Sequence, residues 1–124
     1  MRINKGKGNL STELRLVALM KKERLNGWRR GSLLPGKPDF IFPKDRLAVF
    51  VDGCFWHGCA RCRRNLKPAT NRMFWVEKIR MNKLRDLRVG RQLKREDWSV
   101  IRIWEHEIKR TPNKVLGRIR KKLI

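Results

Sequence analysis

Three cysteines lie close together in the chain, at Cys54, Cys59 and Cys62. Thiolates at this spacing on a short segment are typical ligands of structural zinc, which takes four sulfur or imidazole ligands. The fourth ligand would be His57, inside the same segment, or His106, much further along the chain. The alternative interpretation is three unrelated thiols, of which one or two are buried as small hydrophobic side chains.

A second group of residues could hold a harder metal ion. Asp39 opens one apolar run, and a later apolar run ends at Val51 and Asp52. Mg²⁺ prefers carboxylate and carbonyl oxygens and takes its remaining ligands from water and substrate phosphate. Asp39 is therefore a candidate ligand, with a carbonyl near Val51 or the Asp52 side chain beside it. Taken alone, an aspartate that follows a proline is also a common turn residue.

The first half of the chain supplies a helix and a hairpin to position these residues. Apolar spacing predicts an amphipathic helix over 12–26, with Ser11 as its N-cap. The expected apolar face of this helix consists of Leu14, Val17, Ala18 and Leu25. The Gly- and Pro-rich stretch 27–38 is predicted to be a loop. Strands at 39–42 and 47–51 are then predicted to form a hairpin around the turn signal Pro43-Lys44-Asp45-Arg46.

The second half supplies a crossover. A charged helix is predicted over 71–95, followed by an apolar strand over 98–104. One face of that helix holds Trp75, Ile79, Asn82, Asp86, Val89 and Leu93. This order predicts parallel pairing of strands 47–51 and 98–104. Thr111 and Pro112 predict the start of a last helix. The expected fold is a small mixed sheet flanked by helices, with 1–10 as a flexible basic segment and 11–124 as one domain.

The net charge of the chain indicates which class of molecule it binds. Lys and Arg number 33 against 11 Asp and Glu, which gives a formal net charge of +22. Such an excess favours nucleic acid as the partner, with an anionic membrane surface as the weaker candidate. No apolar run approaches the roughly 18 residues of a membrane-spanning helix, and the first residues do not resemble a secretory signal. An odd number of cysteines argues against a disulfide framework and favours a reducing, cytoplasmic location.

The ordered motifs of the chain resemble one family closely. Pro-Asp followed by an acidic position at the end of an apolar strand resembles the PD-(D/E)xK nucleases. More specifically, the very short patch repair DNA mismatch endonucleases are similar to this chain from about Ser11 to Ile108. The resembling segments are STELR, LPGKPDFIFP, VFVDGCFWHGCARC, NRMFWVEKIRMN, RDLRV and WSVIRIWEHE.

The resemblance implies an α/β fold of the restriction-endonuclease-like class, with a mixed β-sheet flanked by α-helices and a zinc-stapled loop. The implied activity is Mg²⁺-dependent nicking of one DNA strand beside a T·G mismatch. Asp39 matches the family's metal-binding aspartate, Val51 the residue that offers a backbone carbonyl, and Asp52 the position beside the metal centre. His57 matches the catalytic histidine, which can take a proton from the attacking water. Glu13 matches a supporting acidic group.

The resemblance also assigns the zinc and DNA contacts. It implies structural zinc ligands at Cys54, Cys59, Cys62 and His106. It implies an aromatic wedge at the mismatch formed by Phe55, Trp56 and Trp75, which can enter a base stack. Asn82 and Asp86 could touch the mismatch or its backbone, although a solvated helix face is the alternative. Among the basic residues of the loops, Lys37 and Arg63 are expected to contact DNA phosphates.

Two departures from the family's pattern bear on function. The D/E-x-K lysine is absent, because Gly53, Cys54 and Phe55 follow Asp52. Few residues precede Ser11, which implies weaker clamping of DNA or a start site placed too late. The alternatives are a non-catalytic zinc-stabilised DNA-binding module and a nuclease of the same fold with a different DNA target. We expect a monomer in the cytoplasm of a bacterium or archaeon, associated with the nucleoid. Recruitment of a mismatch-repair accessory protein stays open.

Overall fold

The computed structural model of the protein describes residues 3–31, 33–53 and 72–123. The described helices are α1 (Ile3–Lys22), α2 (Arg72–Arg95), α3 (Glu105–Arg110) and α4 (Pro112–Lys122). The described strands are β1 (Arg29–Arg30), β2 (Phe40–Phe42), β3 (Leu47–Asp52) and β4 (Ser99–Trp104). A 3-10 turn at Pro43–Asp45 joins β2 to β3. In these ranges, no helix has both the length and the apolar character needed to cross a bilayer.

The strands form one mixed sheet in the order β1-β2-β3-β4. The predicted hairpin is confirmed, since β2 pairs antiparallel with β3 and Phe42 lies opposite Leu47. Its connection begins with Pro43 and ends at Arg46, whose φ of 50° turns the chain back. The predicted parallel pairing is also confirmed, since β3 and β4 run side by side in the same direction. Parallel strands need a long connection, and α2 lies within it.

The central strand β3 is buried on both faces. Leu47, Val49 and Val51 pack against α1, α3 and α4 in the larger core. Ala48 and Phe50 point to the opposite side and pack against α2. Successive side chains of a strand alternate between its faces, so β3 separates two helical layers. A four-stranded mixed sheet between helices fits the restriction-endonuclease-like class predicted from the sequence.

The prediction for α1 needs two corrections. The helix begins at Ile3, so Ser11 lies inside it and does not cap it. Leu14 is 49% exposed and Ala18 is also exposed, whereas Leu16 and Met20 are buried in the larger core. Apolar residues occupy almost every position from 16 to 20, so spacing alone could not select the face that meets the sheet.

Two short elements were not predicted. Arg29 and Arg30, expected in a loop, pair with Ile41 and Phe40 as the edge strand β1. Helix α3 follows β4 directly and places the buried side chain of Ile108 in the larger core. Both elements are too short for periodicity to reveal, because they consist of two and six residues.

Candidate active site

Asp39 lies immediately before β2, and its side chain reaches the carboxyl end of β3. The backbone N–H of Val51 donates a hydrogen bond to Oδ2 of Asp39 at 2.7 Å. The Asp39 backbone is held as well, since its N–H donates to the Val49 carbonyl and its carbonyl accepts from the Gly31 N–H. Asp39 is only 9% exposed. The hydrogen bond from Val51 therefore orients the carboxylate and joins the two residues predicted to bind magnesium, while the backbone bonds hold Asp39 in place.

Asp52, the last residue of β3, is bound to an arginine of β4. Nη1 of Arg102 donates to both carboxylate oxygens of Asp52, at 3.0 and 3.2 Å. The same nitrogen lies 3.5 Å from Oδ1 of Asp86 on α2. The guanidinium also stacks over the Phe50 ring, 4.2 Å from its centroid. The structure thus gathers Asp52 and Asp86 around one cation, two residues that the sequence analysis had assigned to separate roles.

Three carboxylates of the described residues lie at this end of the sheet, although the protein has a net charge of +22. Asp39, Asp52 and Asp86 lie around the carboxyl end of β3, with the guanidinium of Arg102 among them. Within residues 3–31, 33–53 and 72–123, no three His, Cys, Asp or Glu side chains converge as a metal-binding cluster. The buried carboxylate of Asp39 offers the kind of oxygen ligand that hard divalent cations prefer.

Glu13 reaches the same end of the sheet from α1, where it binds an arginine. Nη2 of Arg30 donates to Oε1 of Glu13 at 3.0 Å. Arg30 is the strand partner of Phe40, the neighbour of Asp39, and its guanidinium lies 5.9 Å from the Phe40 ring centroid. The sequence analysis expected Glu13 near the metals and did not anticipate this ion pair.

His106, the predicted fourth zinc ligand, lies in the first turn of α3. It follows the carboxyl end of β4 by two residues and is half-buried. It lines a cavity of about 230 Å³ together with Glu107, Arg110, Thr111 and Lys114. An imidazole at this place could staple a loop to the end of β4, as the zinc prediction requires.

Several predicted site residues fall outside the part of the chain that the structure describes. They are Cys54, Phe55, Trp56, His57, Cys59, Cys62 and Arg63. Trp75 lies on α2, and its side chain is likewise outside the description. On the same helix, Asn82 is half-buried while Ile79 and Leu93, which share its predicted face, are buried. Lys37 is exposed in the loop before Asp39, at a φ of 50°.

The sequence analysis missed Arg102. The signal was available, because Arg102 is the one charged residue inside the apolar run WSVIRIW. Its neighbours Ile101 and Ile103 are buried in the larger core, so alternation turns Arg102 toward α2. A cation that faces a helix layer next to a strand ending in aspartate predicts an ion pair.

Sequence comparisons agree with this geometry. A profile of the family described as "DNA mismatch endonuclease Vsr" matches residues 1–64. The Type II nicking enzyme V.NmeDIP of Neisseria meningitidis serogroup C is 42% identical over 87% of this chain and 72% of its own length. The Type II nicking enzyme V.NaeI of Lentzea aerocolonigenes is 44% identical over 64% of this chain and 46% of its own length. DNA mismatch endonuclease Vsr of Escherichia coli (strain K12) is 39% identical over 75% of this chain and 59% of its own length.

A mixed sheet with a fixed carboxylate at the end of its central strand, in a chain with such relatives, defines a DNA endonuclease. Within that class the family is clear, since the matching profile covers more than half of the chain. The chain belongs to the DNA mismatch endonuclease Vsr family.

Proposed function

We propose that this protein is a Mg²⁺-dependent endonuclease that nicks one strand of duplex DNA beside a T·G mismatch in very short patch repair. The observation that carries the proposal is the buried Asp39 carboxylate, fixed by the Val51 N–H at the carboxyl end of β3. A carboxylate held in this way meets a metal ion without first losing side-chain freedom. It also lies at an acidic end of a strongly basic protein, where a cation is electrostatically favoured.

Each residue of the proposed site has one task. Asp39 anchors Mg²⁺ through a carboxylate oxygen, and the backbone carbonyl of Val51 is the second oxygen offered by β3. The bound ion supplies charge stabilisation at the scissile phosphate and at the leaving oxygen. An imidazole nitrogen of His57 accepts the proton of the attacking water, a role suited to a group that titrates near neutral pH. Glu13 supports the site from α1.

Structural zinc is the second proposed metal. Its ligands are the thiolates of Cys54, Cys59 and Cys62 and an imidazole nitrogen of His106. The position of His106, just beyond β4, supports this set because a zinc ion there would tie the cysteine segment to the sheet. The segment also carries His57, so zinc would hold the proposed base in place without using it as a ligand.

The proposed partner is double-stranded DNA with a mismatch. The excess of Lys and Arg supports phosphate binding, and Lys37 and Arg63 are the loop residues we assign to it. Phe55, Trp56 and Trp75 are proposed to enter the base stack at the T·G pair. Unstacking costs least where pairing is already poor, which favours the mismatched site. We expect the protein to act as a monomer in the cytoplasm.

A nicking assay tests the proposal. Two labelled duplexes that differ only in one central pair, T·G or a Watson–Crick pair, are incubated with the protein and Mg²⁺ or with EDTA. We expect a single nick beside the T·G pair, which EDTA abolishes. DNA binding without any nick would instead support the non-catalytic zinc-stabilised module.

The relatives favour a second candidate, a nuclease of the same fold with a different DNA target. Two of the similar proteins are named Type II nicking enzymes, while a third is named a mismatch endonuclease. The same assay on duplexes with varied bases around the T·G pair, and with other mismatches, separates the two functions. Equal nicking of matched and mismatched duplexes would favour this second candidate.

A further inference from the structure

Arg102 occupies an unusual place for a cation. It lies in the middle of β4, between the buried residues Ile101 and Ile103, and its side chain is only 25% exposed. Its two carboxylate partners are still more enclosed, with side-chain exposures of 6% for Asp52 and 16% for Asp86. Charges in such surroundings are screened less by water than surface charges, so their geometry matters more.

The contacts of Arg102 join three elements. Asp52 belongs to β3, Arg102 to β4 and Asp86 to α2. The guanidinium is also held by the Phe50 ring of β3, on which it stacks. Both carboxylates contact the same nitrogen, Nη1, and the planar group that carries it is held against the Phe50 ring, so its direction is set more strictly than that of a flexible ammonium. Arg102 therefore specifies where α2 lies relative to the end of β3.

That position bears directly on the proposed reaction. Asp52 follows Val51, the residue whose N–H orients the Asp39 carboxylate. On α2, Asn82 lies one helical turn before Asp86 and shares its face. The Asp39 anchor is hydrogen-bonded to β3, and Asn82 and Asp86 lie on α2, so the guanidinium of Arg102 connects the strand that orients the anchor with the helix assigned to the mismatch.

We propose that Arg102 is a positioning residue that sets α2, the helix assigned to the mismatch, in register with the metal-anchoring end of β3. The inference rests on the proposed function, since it needs a nick at a defined place beside a mismatch. Arg102 holds the two parts of the site at one separation, and that separation selects the phosphodiester that is cut. Misplacement of reacting groups by about 1 Å can lower a rate about 10²-fold.

The experiment compares three variants with the parent protein. Arg102→Met removes the cation and keeps an apolar side chain of similar length. Arg102→Lys keeps the charge and loses the planar group that stacks on Phe50. Arg46→Met is the matched control, because Arg46 also ties α2 to the sheet and also stacks on an aromatic ring, at the far end of β3 and β4. Single-turnover nicking of the T·G duplex, the position of the nick and the salt dependence of DNA binding are measured below each variant's Tm.

We expect Arg102→Met to nick roughly 10²-fold more slowly and to spread its nicks over neighbouring phosphodiesters. Arg102→Lys should recover part of the rate and little of the positional accuracy. Affinity for matched DNA and its salt slope should stay at the parent values in both variants. Arg46→Met should lose stability and keep the parent's rate and nick position.

Other results would overturn the inference. A weaker affinity with a shallower salt slope in Arg102→Met would assign Arg102 to phosphate binding instead. If Arg102→Met nicks at the parent's rate and position, Arg102 has a structural role only. If Arg102→Met does not fold, Asp86→Asn, which retains the Asp52–Arg102 pair, must shift or spread the nick for the inference to stand. Failure of the parent protein to nick T·G duplexes is a distinct outcome, because it would contradict the proposed function and not the role of Arg102.

Discussion

One arginine ties α2 to the sheet at each end of the parallel pair β3–β4. At the amino ends, Arg46 donates to the backbone carbonyl oxygens of Glu96 and Asp97, just beyond the last residue of α2. Its guanidinium lies 5.1 Å from the centroid of the Trp98 ring. Both hydrogen-bond acceptors are uncharged backbone carbonyl groups, and Arg46 is exposed. This tie closes the turn from α2 into β4 and needs no acidic residue.

At the carboxyl ends, Arg102 is bound by the carboxylates of Asp52 and Asp86. Two anions around one cation leave a net negative charge there, next to Asp39. This arrangement contributes less net stability than backbone acceptors do, because the carboxylates repel one another and lose hydration. Among the described contacts, the arginine at the amino ends thus binds backbone acceptors, whereas the arginine at the carboxyl ends gathers two carboxylates near Asp39.

The largest effect is expected when one carboxylate is removed at the carboxyl end, with removal of one carboxylate at the amino end as the control. Asp39→Asn keeps the size of the side chain and removes the anionic ligand at the carboxyl end. Metal stabilisation of several kcal/mol would be lost, so nicking of the T·G duplex should fall by at least about 10³-fold while DNA binding persists. Asp45→Asn, in the 3-10 turn at the amino end, is the control and should nick at the parent rate. Nicking by Asp39→Asn within a few-fold of the parent would end the magnesium assignment.

The two histidines test the carboxyl end in a second way. His57→Ala should slow nicking by roughly 10²–10⁴-fold, the range for loss of a general base, without loss of zinc. His106→Ala should lose zinc and lower the Tm, because His106 lies where a ligand would tie the cysteine segment to β4. Elemental analysis and thermal unfolding of both proteins decide between the roles. Loss of zinc from His57→Ala, with retention in His106→Ala, would show the assignment to be reversed.

Two glycines measure how far the carboxyl end depends on packing against α2. Gly36 and Gly31 have φ values of 77° and 78°, but only at Gly36 would a Cβ collide, 2.5 Å from Cγ1 of Val89. A Cβ at Gly31 meets no described atom within 4 Å.

Gly31→Ala should therefore cost about 1–2 kcal/mol of unfolding free energy for the left-handed backbone alone. Gly36→Ala should cost roughly 1–3 kcal/mol more, because Val89 and α2 must shift. Urea unfolding of both variants gives the difference. Equal midpoints would mean that α2 shifts at this contact without loss of stability, so that packing against Gly36 does not hold the carboxyl end.

The smallest effect is expected on the outer face of α2, away from both ties. Glu77 and Arg80 form an exposed ion pair there, and the hydrogen bond from Arg80 lowers the pKa of Glu77 from its ordinary value of 4.5. A carboxylate with a lowered pKa in the folded state stabilises the protein above its ordinary pKa, and the contribution is lost as pH falls through the lowered value. Glu77→Gln should lower the Tm only slightly at neutral pH and not at all in strong acid. A large change in Tm or in nicking would show that this face takes part in the site.

The sequence alone determined the elements that local patterns encode. Pro43 and the flanking apolar runs specified the hairpin, and the long helical pattern between two apolar strands specified the parallel pair. Asp39 and Val51 could be predicted as neighbours for the same reason, because a hairpin brings together residues that are 12 apart. Spacing within the short segment of the three cysteines likewise carried the zinc prediction, which stays a prediction.

Tertiary structure decided what depended on partners far along the chain. The buried face of α1 follows from where the sheet lies, and the sequence prediction placed Leu14 on that face, whereas Leu16 is the buried residue. Arg102 meets Asp52 across 50 positions of sequence, and no local pattern encodes that contact. The sequence therefore suggested separate roles for Asp52 and Asp86, whereas in the folded protein both contact Arg102. The contact forms only once the sheet and its helices have packed, because Asp52, Arg102 and Asp86 belong to three different elements.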